Sequence, residues 1–152
     1  MSEEWTSVKR LILHSSEAAL GTLEDEGPFV SGAGYAVEED ENIKVALLLS
    51  DLSRHTRNIV KRPRVSLLVV ESKADTPIHE KQRATLLGEA KRIEDQKKFD
   101  RLKQSYLKRF PKSEIFFSLP DFRFYEVQPE EIHWIGGFGK AKTFVFKEGA
   151  WR

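Results

Sequence analysis

Hydrogen-bond donors follow an apolar run in the segment Leu47-Leu-Leu-Ser-Asp-Leu-Ser-Arg-His-Thr-Arg-Asn-Ile59. The apolar part predicts a strand, and the polar part predicts the start of a short helix. A helix N-terminus offers free N–H groups and the positive end of a dipole, which together favour an anion. The donors that stand there are three hydroxyls, two guanidiniums and one imidazole: Ser50, Ser53, Thr56, Arg54, Arg57 and His55. This combination predicts a phosphate site. The alternative is a plain helix start, with Ser53 as the cap and the arginines in solvent.

Two further features could contribute to a ligand site. Gln82 and Arg83 stand at the start of another predicted strand, and a guanidinium there suits a second anionic oxygen or a carbonyl edge. A surface arginine is the alternative. Gly32 and Gly34 lie inside a strand-like run, where glycine is a poor strand former. They indicate close approach of another backbone or a flat ligand, or else a bulge or a barrel bend.

Other site chemistries find little support in the residue pattern. No G-x-S-x-G motif occurs, and Asp51 with His55 has no nucleophile placed beside it by sequence. The four histidines, at positions 14, 55, 79 and 133, lack metal-ligand spacing, so we expect no metal. Gly136-Gly-Phe-Gly139 follows a strand but lacks the spacing of a dinucleotide fingerprint.

The composition of the chain excludes several classes of function. The 152 residues predict one domain over residues 1–152, and a net charge of +1 gives no field toward nucleic acid or membrane. Cysteine is absent, which excludes disulfides and thiolate chemistry and fits a reducing compartment. The charged N-terminus does not resemble a secretory leader, and no apolar run approaches the roughly 18 residues of a membrane span. We therefore expect a cytoplasmic protein without nucleic-acid or membrane partners.

The hydrophobic patterns predict a mainly β fold with flanking helices. Helical spacing appears in residues 2–15 and 95–110. Strand-like runs occupy residues 18–23, 29–37, 43–49, 64–71, 83–93, 122–127 and 131–135. A bend is expected at Gly88, a kink or bulge at Gln128-Pro129, a polar turn over 38–42 and a short apolar tail at 143–146. Short spacings between strands and few helices favour an antiparallel barrel with the helices outside it.

Several segments together resemble the FMN-binding split-barrel family of pyridoxamine 5'-phosphate oxidase-like proteins, and within it the branch related to haem-utilisation proteins. The matching pieces occur in the family's order. They are residues 18–23, 27–31, 49–59, 63–69, 83–88 and 134–141, of which Ser50-Asp-Leu-Ser-Arg-His-Thr-Arg-Asn58 is the most specific. The resemblance implies a six-stranded antiparallel split β-barrel that forms a homodimer, with FMN at the subunit interface.

The resemblance also implies residue roles. The phosphate and ribityl chain would be held at the junction over residues 50–58, and the flavin ring would lie beside residues 30–34. Arg83 would face the phosphate or the pyrimidine edge, and the partner subunit would border the ring through Trp134 and residues 136–139. The full cofactor-binding set is Val30, Ser31, Gly32, Ser50, Leu52, Ser53, Arg54, His55, Thr56, Asn58, Gln82, Arg83, Trp134, Gly137 and Phe138.

Three functions follow from this resemblance. The first is an FMN-dependent oxidoreductase of unknown substrate, in which the flavin carries the redox chemistry. The second is a haem-binding or haem-degrading protein, with His79 or His133 as the candidate axial ligand. The third is a non-catalytic flavin-binding module. The substrate-binding Arg and His of the oxidase itself have no counterpart here, and the haem ligands of larger relatives are expected beyond the matching region.

Overall fold

A computed structural model describes residues 2–38 and 42–152. The helices are α1 (Glu3–His14), α2 (Arg54–Lys61), α3 (Gln96–Arg109) and α4 (Glu114–Phe117), with single 3₁₀ turns at Ile78–Glu80 and Pro111–Ser113. The strands are β1 (Glu17–Glu24), β2 (Gly27–Glu38), β3 (Lys44–Ser50), β4 (Arg64–Val70), β5 (Gln82–Arg92), β6 (Phe122–Gly136), β7 (Ala141–Lys147) and β8 (Ala150–Trp151). The middle of the predicted polar turn at 38–42 lies outside the described residues. The single-domain assignment stays a prediction.

Six strands close into an antiparallel barrel, which confirms the predicted fold class. The strand order is β3-β2-β1-β4-β5-β6, and β3 pairs with β6 to complete the ring. Strands β7 and β8 extend the sheet from the outer edge of β6. No helix in the described ranges is both long and apolar enough to cross a membrane.

Alternation of side chains along the strands builds the core. In β1, Ala18, Leu20 and Thr22 point inward and are buried, as the period of two requires. The second half of β2 is buried on both faces, because α3 covers its outer side. Helix α1 closes one side of the core with Trp5, Val8, Leu11 and Ile12, and Ser2 caps it by accepting a hydrogen bond from Trp5 N at 3.1 Å.

The C-terminal strands differ from the prediction. Residues 122–127 and 131–135 belong to one continuous strand, β6, rather than to two strands separated at Pro129. Pro129 pairs with Gly88 where the β5–β6 register shifts at Leu87/Gly88, so a bulge accommodates it. A Cβ at Gly88 would lie 2.7 Å from the Gln128 carbonyl oxygen, which explains why glycine stands opposite the bulge. The apolar tail is strand β7, paired with β6.

Candidate functional site

The turn between β3 and α2 is organised by Ser50. Its hydroxyl donates to Asp121 Oδ2 at 2.6 Å and accepts from Leu52 N at 3.1 Å. Its carbonyl oxygen accepts from Thr56 Oγ1 at 2.6 Å and from Ser53 N at 3.1 Å. These four bonds fix the path of the chain from strand to helix, so Ser50 and Thr56 shape the junction.

His55 connects this turn to strand β2. Its Nδ1 lies 2.8 Å from Ser31 Oγ, so a hydrogen bond joins two predicted site residues from segments distant in sequence. The side chain is half-buried, and burial lowers the pKa of His55 below its usual value. The imidazole is therefore neutral at pH 7, with one ring nitrogen engaged by Ser31.

Arg54 is held by a carboxylate that was not predicted. Its Nε and one terminal nitrogen donate to the two oxygens of Glu24 at 2.5 and 2.6 Å, and its guanidinium carbon lies 4.2 Å from the centre of the Phe29 ring. Asn58 Nδ2 donates to Glu24 Oε2 and to Thr22 Oγ1, both at 3.0 Å. The Arg54 and Asn58 donors lower the pKa of Glu24 to about 2. Helix α2 is thus tied to the β1–β2 hairpin.

The N-terminus of α2 carries no side-chain cap. Ser53 occupies the N-cap position with extended backbone, as the alternative of a plain helix start expects, but its side chain makes no capping hydrogen bond. Arg57, one turn into the helix, donates from one terminal nitrogen to Leu52 O at 2.7 Å. Its guanidinium therefore lies back over the turn that precedes the helix, and the Leu52 side chain is exposed.

The two glycines of β2 have different surroundings. A Cβ at Gly32 would meet no atom within 4 Å, whereas one at Gly34 would lie 2.5 Å from the Tyr106 hydroxyl of α3. Packing by α3 thus accounts for Gly34, where the sequence predicts close approach of another backbone or a flat ligand, or else a bulge or a barrel bend. Gly32 lines a shallow groove of about 420 Å³ together with Ala19 and Leu68. Val30, two residues earlier, is 66% exposed.

The remaining predicted site residues lie where β5 begins and β6 ends. Arg83 donates to the carbonyl oxygens of Ile78 and Lys81, and Gln82 Oε1 accepts from Trp134 Nε1 at 3.3 Å. Trp134 is 5% exposed and belongs to the barrel core. Gly137 has a φ of +101° and is buried, whereas Phe138 beside it is 87% exposed.

These predicted residues form two groups within one chain. The first group is Ser31 with residues 50–58, joined by the Ser31–His55 hydrogen bond, and the Gly32 groove on the opposite face of β2. The second group is Gln82, Arg83, Trp134 and residues 137–138. Residues 50–58 start at the last residue of β3, Ser50, which pairs with Phe122 at the start of β6, whereas Trp134 lies toward the opposite end of β6. The two groups therefore stand at different ends of the barrel. No cluster of three or more acidic or histidine side chains that could hold a metal occurs among residues 2–38 and 42–152.

Sequence reasoning missed the carboxylates of the junction. Glu24 sits in an acidic loop that reads as solvent-exposed, and Asp121 follows a proline far along the chain. The only available signal was that residues 50–58 contain more arginines than acidic residues. An arginine in this segment that forms an ion pair therefore needs a carboxylate from another part of the chain. Only the strand register identifies that partner.

The closed six-stranded barrel, with its donor-rich junction, has the fold of the split-barrel proteins. The chain belongs to the CREG beta-barrel family, whose model matches residues 2–148. This family lies within the FMN-binding split-barrel superfamily, so the resemblance noted in the sequence is confirmed. No curated protein matches the chain.

Solved structures with the same fold bear different descriptions. The chain is similar to a haem-binding protein from Mycobacterium smegmatis (TM-score 0.85, 23% identity), over 95% of this chain and 59% of that one. It is similar to the haem storage protein HutZ from Vibrio cholerae (TM-score 0.68, 23% identity), over 92% of each chain. General stress protein 26 from Bacillus anthracis matches with a TM-score of 0.70 and 16% identity, over 95% of this chain and 100% of that one. The chain thus spans about three fifths of the Mycobacterium protein.

Proposed function

We propose that this protein binds FMN as a homodimer and acts as an FMN-dependent oxidoreductase. The observation that carries the proposal is the uncapped N-terminus of α2, with a set of donors around it and the open Gly32 groove on the neighbouring strand. An anion and a flat ring are the two parts of FMN, and these two features suit one part each. Family membership supports the same cofactor class.

The residues present fit the cofactor as follows. Ser50, Thr56 and Asn58 already have protein partners and would hold the shape of the junction. Ser53 and the first-turn N–H groups of α2 would face the phosphate. His55, oriented by Ser31, would face the ribityl chain. Val30 and Gly32 would lie along the flavin ring, because Val30 is exposed and Gly32 opens on free space. Leu52 would cover the outer side of the site.

When bound, the flavin would supply the redox chemistry. A partner subunit would complete the site, because Arg83, Gly137 and Phe138 stand away from the junction in a single chain. Phe138 is the most exposed large apolar residue described, which suits burial against a second copy. Because Trp134 is buried, its indole would support the Gly136–Gly139 turn and would not stack on the flavin ring. In both subunits Gln82 would fix the Trp134 indole.

A titration with FMN and riboflavin tests the proposal. Riboflavin shares the ring and lacks the phosphate, so it is the matched control ligand. We expect FMN fluorescence to be quenched on binding, and riboflavin to bind at least tenfold more weakly, because it loses the charge-assisted phosphate contacts. Absence of FMN uptake would overturn the proposal, and equal affinity for both would remove the phosphate site from it.

Activity requires a separate measurement. We expect FMN-loaded protein to oxidise NADH or NADPH with an electron acceptor faster than free FMN does. Bound FMN without any turnover would instead favour a non-catalytic flavin-binding module.

Haem is the second candidate, and His133 favours it. Its Nδ1 lies 3.0 Å from Thr143 Oγ1 on the exposed face of β6 and β7, so the ring is oriented while Nε2 keeps its capacity to bind. His79 is exposed in the 3₁₀ turn and lacks such support. The test is a haem titration read in the Soret band, with His133→Ala and His79→Ala. A spectrum unaffected by the protein would remove this candidate.

A further inference from the structure

We propose that Arg57 is the guanidinium that contacts the ligand phosphate, and that Arg54 is a positioning residue that ties α2 to the β1–β2 hairpin through Glu24. This inference rests on the proposed phosphate site. It reverses the weight given to the two arginines by the family resemblance, whose cofactor-binding set contains Arg54 and not Arg57.

The guanidinium of Arg54 already has protein partners, the Glu24 carboxylate and the Phe29 ring. Two of its nitrogens donate to both oxygens of Glu24, which is the bidentate geometry of a strong guanidinium–carboxylate pair. Its plane lies against the Phe29 ring, with the guanidinium carbon 4.2 Å from the ring centre. A phosphate that used the same edge of Arg54 would have to displace a carboxylate whose charged form is favoured at every ordinary pH.

Arg57 has a different environment. One terminal nitrogen donates to a neutral acceptor, the Leu52 carbonyl oxygen. No carboxylate lies within ion-pair distance of Arg57 in the part of the chain that the structure describes. A guanidinium carries five N–H donors, so four remain for a ligand. The bond to Leu52 also brings the charge toward the N-terminus of α2, the direction in which helical side chains lean.

Among the described residues, the surrounding charges leave Arg57 as the cation at the junction without a carboxylate partner. Arg123 Nε pairs with Asp51 Oδ2 at 2.9 Å, and Arg62 and Lys61 pair with Asp25. With Arg54 matched by Glu24, attraction of a dianion to this junction depends on Arg57 and on the helix end.

Three matched variants separate the roles: Arg57→Gln, Arg54→Gln and Glu24→Gln. We expect Arg57→Gln to weaken FMN binding about tenfold or more, the effect of one lost charge-assisted contact, while riboflavin binding and the thermal midpoint stay unchanged. Arg54→Gln and Glu24→Gln should both lower the thermal midpoint. The double variant should lower it by less than the sum of the two, because both remove one interaction.

The inference is overturned if Arg54→Gln weakens FMN binding tenfold while Arg57→Gln leaves it unchanged. Additive thermal shifts in the double variant would overturn the positioning role of Arg54. Failure of the wild type to bind FMN is a different result: it removes the proposed function and the Arg57 contact together. The thermal cycle still decides the role of Arg54 in that case, because it needs no ligand.

Discussion

The two groups of predicted site residues are constructed differently. The junction between β3 and α2 is cross-linked by short side-chain bonds, from Ser50 to Asp121, from His55 to Ser31 and from Arg54 to Glu24. At the β5–β6 end, Arg83 is bound to backbone carbonyls and Trp134 lies in the core. Phe138 stands in solvent.

The difference indicates which group can act within one chain. The side chains of the junction are fixed by protein contacts before any ligand arrives, so the junction is preorganised for the proposed phosphate. The β5–β6 end presents one exposed ring and a tight turn, with its arginine directed at its own backbone. We infer that the second group contributes to a ligand only when a second copy of the chain brings it against the first group.

The largest expected effect is the difference in unfolding free energy between alanine variants of Trp134 and Phe138. Trp134→Ala should lower the free energy of unfolding by about 3–5 kcal/mol, because a buried indole leaves a cavity. Phe138→Ala should change it by less than about 0.5 kcal/mol in the ligand-free monomer, because the ring is exposed in a single chain. Urea unfolding measures both. Equal losses in the monomer would contradict the exposure of Phe138, whereas a loss from Phe138→Ala that appears only in the dimer is expected from the proposed interface.

The second contrast lies within β2, between Gly34 and Gly32. Gly34→Ala should destabilise by about 1–2 kcal/mol, because its Cβ would collide with the Tyr106 hydroxyl and displace α3. Gly32→Ala should be close to neutral in unfolding experiments on the ligand-free protein, because its Cβ meets open space. A large loss from Gly32→Ala alone would contradict the open groove beside the junction.

The third test concerns Glu24 and acid. The folded-state pKa of Glu24 is depressed to about 2 from the usual 4.5, so its contribution to stability is complete above pH 4.5 and is lost as the pH falls toward 2. Urea midpoints of the wild type should therefore fall across this window more steeply than those of Glu24→Gln. Parallel curves would mean that the Arg54–Glu24 pair does not persist in solution.

The smallest effect belongs to His55. Burial depresses its folded-state pKa below 6.5, so protonation favours the unfolded chain and stability should decline as the pH falls below 6.5. The variant His55→Gln should flatten this part of the pH profile. NMR titration of the imidazole provides the direct reading, and a pKa raised above 6.5 would contradict the half-buried pairing with Ser31.

Much of the fold was predictable because it depends on local periodicity. The alternation in β1 and the helical spacing in α1 each specify a buried face, and both elements appear where predicted. The division into two strands at Pro129 was wrong, but the bulge expected there as the alternative to a kink is present, and it depends on Gly88 in another strand. The short apolar run of β7 could not be identified as a strand from sequence, because its strand structure depends on pairing with β6.

The candidate site was predictable only in part, for the same reason. The donors of residues 50–58 are contiguous and could be found as a motif. Glu24 reaches Arg54 across 30 positions, and Tyr106 reaches Gly34 from α3, so both contacts depend on tertiary register. Burial of Trp134 could not be distinguished from a ring-bordering role, since an aromatic residue at a strand end suits both.

Sedimentation velocity monitored at the visible absorbance of the flavin tests the central claim most directly. The claim is that one phosphate-binding junction from one chain and the β5–β6 end of another form a single FMN site. The predicted result is flavin that sediments with a species of twice the chain mass, at one FMN per chain. Flavin carried by a monomer, or a dimer from which the flavin separates, would contradict it.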